Sequence, residues 1–375
     1  MSSEAKAIAD EARTLLRERG ATAKSREVLA GDAAFDRGLW EEMGRLGWLG
    51  VSIPEEFGGS AAGSEALCLL AAEIGRANAA VPFSSTVYFA SDAIGRFGSL
   101  AQKAEYLSAI AQGSLIATTA ATEGPGDPRA AAGNCRVRKG LLSGSRWPVV
   151  DGLIADLAIV FCIDEDAGGQ AAAFLVRLGD KGVIRRRLAG VDPSRELAWL
   201  EFQNVPVQRL GDPAQGGQAA DVLAQVLARA AVPMAFEQIG GAQSCLDMAV
   251  GYAKTRYAFG QPIGANQAIK HKLAEVYIAI ELARSNGYFA AWAHATDAEE
   301  LFIAAASAHV SASEAFFLAA RENIQTHGGI GVTAEVDCHL YLRRCRHLAA
   351  QLGTLQEWKS RLVAELVKHP EHWKD

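Results

Sequence analysis

The chain has 375 residues, half of them apolar and 21% charged, with a formal net charge of −6. That length exceeds what one hydrophobic core usually serves and implies two or three domains. The acidic balance excludes a nucleic-acid footprint, which needs clustered Lys and Arg in excess.

Residues 1–114 read as helices. Leu67, Leu70, Ala71 and Ile74 recur at helical spacing, and Ser52-Ile53-Pro54-Glu55-Glu56-Phe57-Gly58-Gly59 breaks one helix from the next. The start, Met1-Ser2-Ser3-Glu4 followed by mixed charge, holds no secretory signal. From about Leu115 short apolar runs alternate with Gly, Asp and Pro: Leu157 to Ile163, Ala171 to Val176 and Ala198 to Phe202. These predict a compact β-domain over 115–218, closed by the turn-rich Gly211-Asp212-Pro213-Ala214-Gln215-Gly216-Gly217. Residues 219–375 are helical again, apolar on more than one side, as in a bundle that is also an oligomer interface. No segment reads as the run of roughly 18 to 20 apolar residues that a membrane span requires. Six dispersed cysteines with no CxxC pair indicate neither a metal site nor a disulfide framework, and predict reduced thiols in a cytoplasmic protein.

Four segments carry a resemblance. They are Leu46-Gly47-Trp48-Leu49-Gly50-Val51-Ser52-Ile53-Pro54-Glu55-Glu56-Phe57-Gly58-Gly59, Ala120-Ala121-Thr122-Glu123-Gly124-Pro125-Gly126, Ala253-Lys254-Thr255-Arg256-Tyr257-Ala258-Phe259-Gly260-Gln261-Pro262-Ile263 and Gln325-Thr326-His327-Gly328-Gly329-Ile330-Gly331. In this order the chain resembles the acyl-CoA dehydrogenase family. The resemblance implies a helical N-domain, a β-barrel middle domain and a four-helix-bundle C-domain. It also implies bound FAD, an acyl-CoA substrate, and electrons passed to an electron-transfer flavoprotein. In the family, residues matching Arg256, Phe259, Gln325, Gly328 and Gly329 reach a neighbouring subunit's dinucleotide, so a homo- or hetero-oligomer, a dimer of dimers, is implied. Cationic and amide donors suit its diphosphate, a flat ring suits apolar contact, and paired glycines allow close backbone approach. Thr122, Trp147 and Thr354 match further flavin contacts. For Thr122 and Glu123 a solvated turn is the competing reading. Two departures stand out: Val149 replaces the Thr that bonds near the reactive flavin nitrogen, leaving only a backbone donor, and Gly126-Asp127-Pro128-Arg129 replaces Gly-Ala-Gly-Ser.

The family's reaction takes a proton from the carbon alpha to the thioester, which requires a carboxylate of tuned pKa. At the usual position stands Leu352, before Gly353-Thr354. At the alternative position, used by the isovaleryl-CoA dehydrogenase branch, stands Ala230. Glu237 lies two helical turns beyond Ala230 in an apolar stretch, where desolvation would raise its pKa. It reads either as the base or as a structural Glu paired with an Arg. Glu123, Asp127 and Glu335 are lesser candidates. Three functions follow: an active FAD-dependent dehydrogenase, a degenerate subunit completing a partner's FAD site (as in the heteromeric steroid-side-chain type this chain resembles), or a flavin-free scaffold.

Overall fold

The computed structural model describes residues 2–124, 128, 133–211 and 219–368. Apart from Pro128, the singled-out loop 126–129 lies outside the described residues, as do connector residues 212–217 and the expected boundary at 218.

Seven helices form the N-terminal layer: α1 (Ser3–Glu18), α2 (Ala21–Ala30), α3 (Arg37–Arg45), α4 (Gly63–Arg76), α5 (Asp92–Phe97), α6 (Leu100–Gln102) and α7 (Ser108–Ala111). Helix α1 starts where the Ser2 hydroxyl accepts from the Ala5 amide at 3.1 Å, satisfying one orphan N–H of the first turn. It buries Ala5, Ala9, Ala12 and Leu16, the stripe that a 3.6-residue period aligns. A π-helical segment, Ser84–Ser91, leads into α5 and is buried throughout.

The strands are β1 (Ala117–Ala120), β2 (Arg136–Arg138), β3 (Leu141–Val150), β4 (Leu157–Asp164), β5 (Gln170–Arg177), β6 (Val183–Leu188), β7 (Leu197–Pro206) and β8 (Gln208–Arg209). They form one sheet in the order β6-β7-β3-β2-β4-β5-β8, with β1 parallel to β4 in the register Ala117↔Leu157. The continuous apolar run of β4 is buried along most of its length, as its composition requires.

The C-terminal helices are α8 (Ala219–Thr255), α9 (Gln267–Thr296), α10 (Leu301–His327), α11 (Cys338–Gln351) and α12 (Leu355–Lys368). A hairpin of β9 (Tyr257–Ala258) and β10 (Gln261–Pro262) separates α8 from α9. Two glycines allow α4 to cross α8 at backbone contact. A Cβ at Gly75 would meet the Glu237 carbonyl, and one at Gly240 would meet the Ala72 carbonyl. That reciprocal pair fixes the depth at which α8 sits under the N-terminal domain.

One expectation needs correcting. Helices α8 and α10 each contain an 18-residue window apolar enough to cross a bilayer, with mean hydropathy 1.2 and 1.5. In the α8 window 83% of residues are buried inside the fold, and in the α10 window 56%. The apolar surface is spent on the bundle core, which mimics the composition of a span.

Candidate active site

A cavity of about 260 Å³ lies where the three layers meet. One wall is the sheet: Thr118 and Thr119 on β1, Ala121 and Thr122 just after it, and Pro148 and Val150 on β3. The other wall is helical: Ser85 and Phe89, Leu223 and Leu227 on α8, and His347 and Gln351 on α11, with Gly353 and Thr354 beyond it.

The loop after β1 is docked on β3. Trp147 N–H donates to Thr122 O at 2.9 Å, Gly124 N–H donates to Trp147 O at 2.7 Å, and the Thr122 hydroxyl donates to Pro148 O at 3.2 Å. Trp147 itself stacks on Trp199 with ring centroids 5.0 Å apart and is not part of the cavity wall. Beneath the loop, fully buried Arg146 holds Glu123 in an ion pair and donates to Phe161 O at 3.0 Å. This engages Glu123 structurally, so it is no free base.

The Val149 side chain turns away from the cavity, which leaves open only the backbone contact expected of it. Side chains alternate along a strand, and here Pro148 and Val150 face the cavity while Val149 is wholly buried and paired with Ala198 on β7. Its side chain belongs to the sheet's packed face. Thr354 does line the cavity, but its hydroxyl accepts from Glu357 N–H at 3.2 Å and its amide donates to Glu357 at 2.7 Å. That reciprocal box caps α12.

For Glu237 the surroundings favour the structural of its two readings, a Glu beside an Arg. It is 1% exposed and lies outside the cavity lining. Tyr88 donates to its Oε2 at 3.0 Å, and Arg344 stands 3.8 Å from Oε1. It belongs to a buried polar cluster that crosses all three layers. Arg344 donates to Asp192 at 2.7 Å, to Ser194 Oγ at 3.0 Å and to Ala79 O at 3.0 Å. Arg195 donates to Asp151 and to Ser84 Oγ, each at 2.8 Å. The cluster holds three carboxylates (Asp151, Asp192, Glu237) against two guanidiniums (Arg195, Arg344). Burial raises the Glu237 pKa, and the two arginines and Tyr88 only partly offset this. Of the three carboxylates, Glu237 is the one whose pKa is raised, and it sits outside the cavity lining. Glu335 is not in the cavity lining, and its carbonyl accepts from Arg26 on α2. Asp127 lies outside the described residues.

Sequence reasoning missed three buried polar atoms that belong to residues lining the cavity. Thr119 Oγ1, His347 Nε2 and Gln351 Oε1 are buried with no hydrogen-bond partner, and all three residues line the cavity. Buried polar atoms without partners are rare. A legible signal existed for two of them: His347 and Gln351 are four apart on one helix and share a face. The His347 ring is held neutral; burial, then Arg195, pushes its pKa down to about 3. Among the described residues, the lining includes no Asp or Glu.

The remaining expected flavin contacts sit at the other end of α8. Tyr252 stacks on His327 with centroids 4.2 Å apart, so the C-terminal ends of α8 and α10 lie side by side. This gathers Arg256, Phe259, Gln325, Gly328 and Gly329 at one end of the bundle, all exposed. Phe259 stands fully exposed at the tip of the β9–β10 hairpin with φ 52°. Gly328, at φ 66°, closes α10 by donating to Gln325 O and Ile324 O, a left-handed position that favours Gly. From Leu227 to the end of α8 is roughly 42 Å at about 1.5 Å per residue. Residues at the hairpin therefore cannot touch a molecule in their own chain's cavity.

A ring, a guanidinium and an amide are the donor set that suits a flavin dinucleotide. The cavity, with Thr119 and Thr122 on its sheet wall, lies at one end. An exposed ring, guanidinium and amide are offered at the other. Helix α9 adds an exposed apolar stripe, Ile278, Leu282, Phe289 and Trp292, the kind of surface an interface covers.

Family models for the acyl-CoA dehydrogenase N-terminal and C-terminal domains match residues 2–114 and 219–366. Acyl-CoA dehydrogenase IpdE2 of Mycobacterium tuberculosis is 32% identical over 358 residues, covering 95% of each chain. A variant of the Tcur3481-Tcur3483 steroid ACAD superposes with a TM-score of 0.88 at 29% identity, covering 98% of this chain and 99% of its own. The ChsE4-ChsE5 complex from Mycobacterium tuberculosis gives 0.86 at 27% identity, with 98% of both chains covered.

Proposed function

Because the chain belongs to the acyl-CoA dehydrogenase family, we propose that it is a flavin-dependent acyl-CoA dehydrogenase subunit of a mixed oligomer, in which a paralogous chain supplies the catalytic carboxylate. The observation that carries this reading is the cavity lining, which holds no Asp or Glu among the described residues. The imidazole in that lining, His347, is too weakly basic at about 3 to take a proton from a carbon acid. Sealed behind Tyr88, Glu237 does not remedy this.

FAD would be held by Arg256, Phe259, Gln325 and the Gly328-Gly329 turn acting on a neighbouring chain's cofactor, and by Thr119 and Thr122 on the sheet wall of the cavity. When bound, FAD accepts the hydride from the β-carbon of the acyl group, and an electron-transfer flavoprotein would receive the electrons. The chain's own residues orient and enclose. Phe89, Leu223 and Leu227 form an apolar wall against the acyl group and exclude water, while the α9 stripe buries itself against the partner. Two of the similar structures carry paired names, Tcur3481-Tcur3483 and ChsE4-ChsE5, which agrees with a mixed assembly, and the first is called a steroid ACAD, which agrees with an acyl group of steroid origin.

Co-expression with an adjacent-gene paralogue tests the reading. The pure chain should give no turnover with any acyl-CoA, and the mixed oligomer should be yellow and active. Full activity of the pure chain would end the proposal.

A further inference from the structure

Strands β2 and β4 run parallel in the register Arg136↔Ile163 and Val137↔Asp164. One residue earlier the same register sets Cys135 beside Cys162, and Ile163 N–H donates to Cys135 O at 2.9 Å. Side chains alternate along a strand, so Cys135 turns inward with Val137, and Cys162 with Val160 and Asp164, all of them buried. Adjacent strands lie about 4.8 Å apart, within the roughly 4.4–6.8 Å between Cα atoms that a disulfide spans. Both cysteines are free thiols, and Cys162 donates a hydrogen bond to the Cys135 sulfur.

That hydrogen bond, helped by the buried Arg146 guanidinium, outweighs burial and lowers the Cys135 pKa. Burial pushes Cys68, Cys245, Cys338 and Cys345 the other way. Thiolate character makes a sulfur nucleophilic, so Cys135 is the attacking sulfur and Cys162, whose pKa is raised by the same bond, the resolving one. The pair also adjoins the cavity loop. Asn134, next to Cys135 in the chain, donates to Glu123 from its amide at 3.0 Å and from Nδ2 at 2.9 Å. Glu123 stands between Thr122 and Gly124, which both line the cavity.

We propose that Cys135 and Cys162 form a reversible redox modification site, at which hydrogen peroxide closes a disulfide behind the cavity loop. The Cys135 thiolate attacks one peroxide oxygen and the O–O bond breaks. Hydroxide leaves, takes up the proton that Cys135 gave up, and a sulfenic acid remains on Cys135. The Cys162 sulfur then attacks Cys135, forming the S–S bond and expelling the oxygen as water with the Cys162 proton. The two thiols lose two electrons between them, and peroxide is reduced to two waters. Neither cysteine is exposed, so the oxidant must be small and neutral, which selects peroxide over a glutathione-sized disulfide. Once formed, the link ties Cys135 to β4 and steadies the Asn134 bonds that hold Glu123.

The test uses the full chain under native conditions. Hydrogen peroxide is added in slight molar excess, catalase stops the reaction, and free thiols are alkylated in denaturant before peptide mass spectrometry. A Cys135–Cys162 linked peptide should account for most of the protein, and dithiothreitol should restore both thiols. Cys68, Cys245, Cys338 and Cys345 should be recovered alkylated. In Cys162→Ala no link can form, and Cys135 should be trapped as a sulfenic acid by dimedone added with the denaturant. Hydrogen exchange at the Asn134 amide, which donates to Glu123, should slow severalfold in the linked protein. Equal oxidation of all six thiols, or a link that forms only when denaturant is present during oxidation, overturns the proposal. An Asn134 exchange rate that oxidation leaves unchanged overturns the hold on the loop.

Discussion

Tyr88 donates a 3.0 Å hydrogen bond to Oε2 of Glu237, joining residues 149 apart in sequence and closing the carboxylate into the contact between the N-terminal helices and α8. A base must reach the carbon it deprotonates, and this carboxylate is buried and outside the cavity lining. The expected outcome for Glu237→Gln is a rate within about threefold of the unaltered mixed oligomer, because no proton transfer passes through it. Steady-state kinetics on the co-purified assembly decides. A loss of several orders of magnitude with the fold intact would mean the carboxylate does reach the substrate.

Arg344 and Asp192 form a 2.7 Å ion pair that is 1% and 2% exposed. Breaking a buried pair by removing one partner strands the other charge, at a cost of about 3–5 kcal/mol. Arg344→Met should therefore unfold at clearly lower denaturant concentration. Burial pushes the Asp192 pKa up, but the Arg344 guanidinium and the Ser194 hydrogen bond outweigh it and hold it at about 2. A depressed carboxylate contributes stability that is present above its unfolded pKa near 3.8 and lost as pH falls toward 2. Arg344→Met should accordingly move the acid-unfolding midpoint to higher pH, read by circular dichroism.

His309 on α10 has both ring nitrogens buried without partners and lies against Trp358 of α12 with centroids 5.0 Å apart. Burial, then Arg361, pushes its pKa down to about 3. The unfolded chain takes up the proton near pH 6.5 and the native state does not, so stability is lost progressively as pH falls from 6.5 toward 3. In His309→Phe the ring packing is kept and this loss is removed. Between about pH 6 and pH 4 its stability should decline less steeply than that of the unaltered chain, by about 1.4 kcal/mol per pH unit. Identical slopes would show that His309 is not neutral in the native state.

Arg256, Phe259 and Gln325 are exposed in their own chain, so Ala at each should change the stability of the flavin-free subunit by less than about 0.5 kcal/mol. Removing a desolvated ring or guanidinium from a cofactor interface costs more, on the order of 2 kcal/mol. Flavin content after gel filtration should therefore drop severalfold in Phe259→Ala and Arg256→Ala, measured by absorbance. Unchanged flavin in both variants would remove these residues from the cofactor site.

Much of the fold was legible in the sequence because it is written in local periodicity. The helix, sheet, helix order follows from spacing rules that act over a few residues, and the apolar run of β4 announces its own burial. The hairpin tip at Gly260 and the turn at Gly328 could be found the same way, since a left-handed backbone favours glycine wherever it occurs. The sequence reading found no span, yet α8 and α10 each hold a window apolar enough for one, and it is packing in the bundle that takes up much of that surface. What tertiary structure alone decided is which side chains share a space. Val149 points into the sheet because Pro148 and Val150 take the cavity side. Glu237 is sealed because Gly75 and Gly240 let α4 press against α8. Arg344 meets Asp192 across 152 positions. Burial, pKa and access belong to a place in three dimensions, and nothing in the linear spacing of Ala230, Glu237 and Leu352 fixes which of them looks into the cavity.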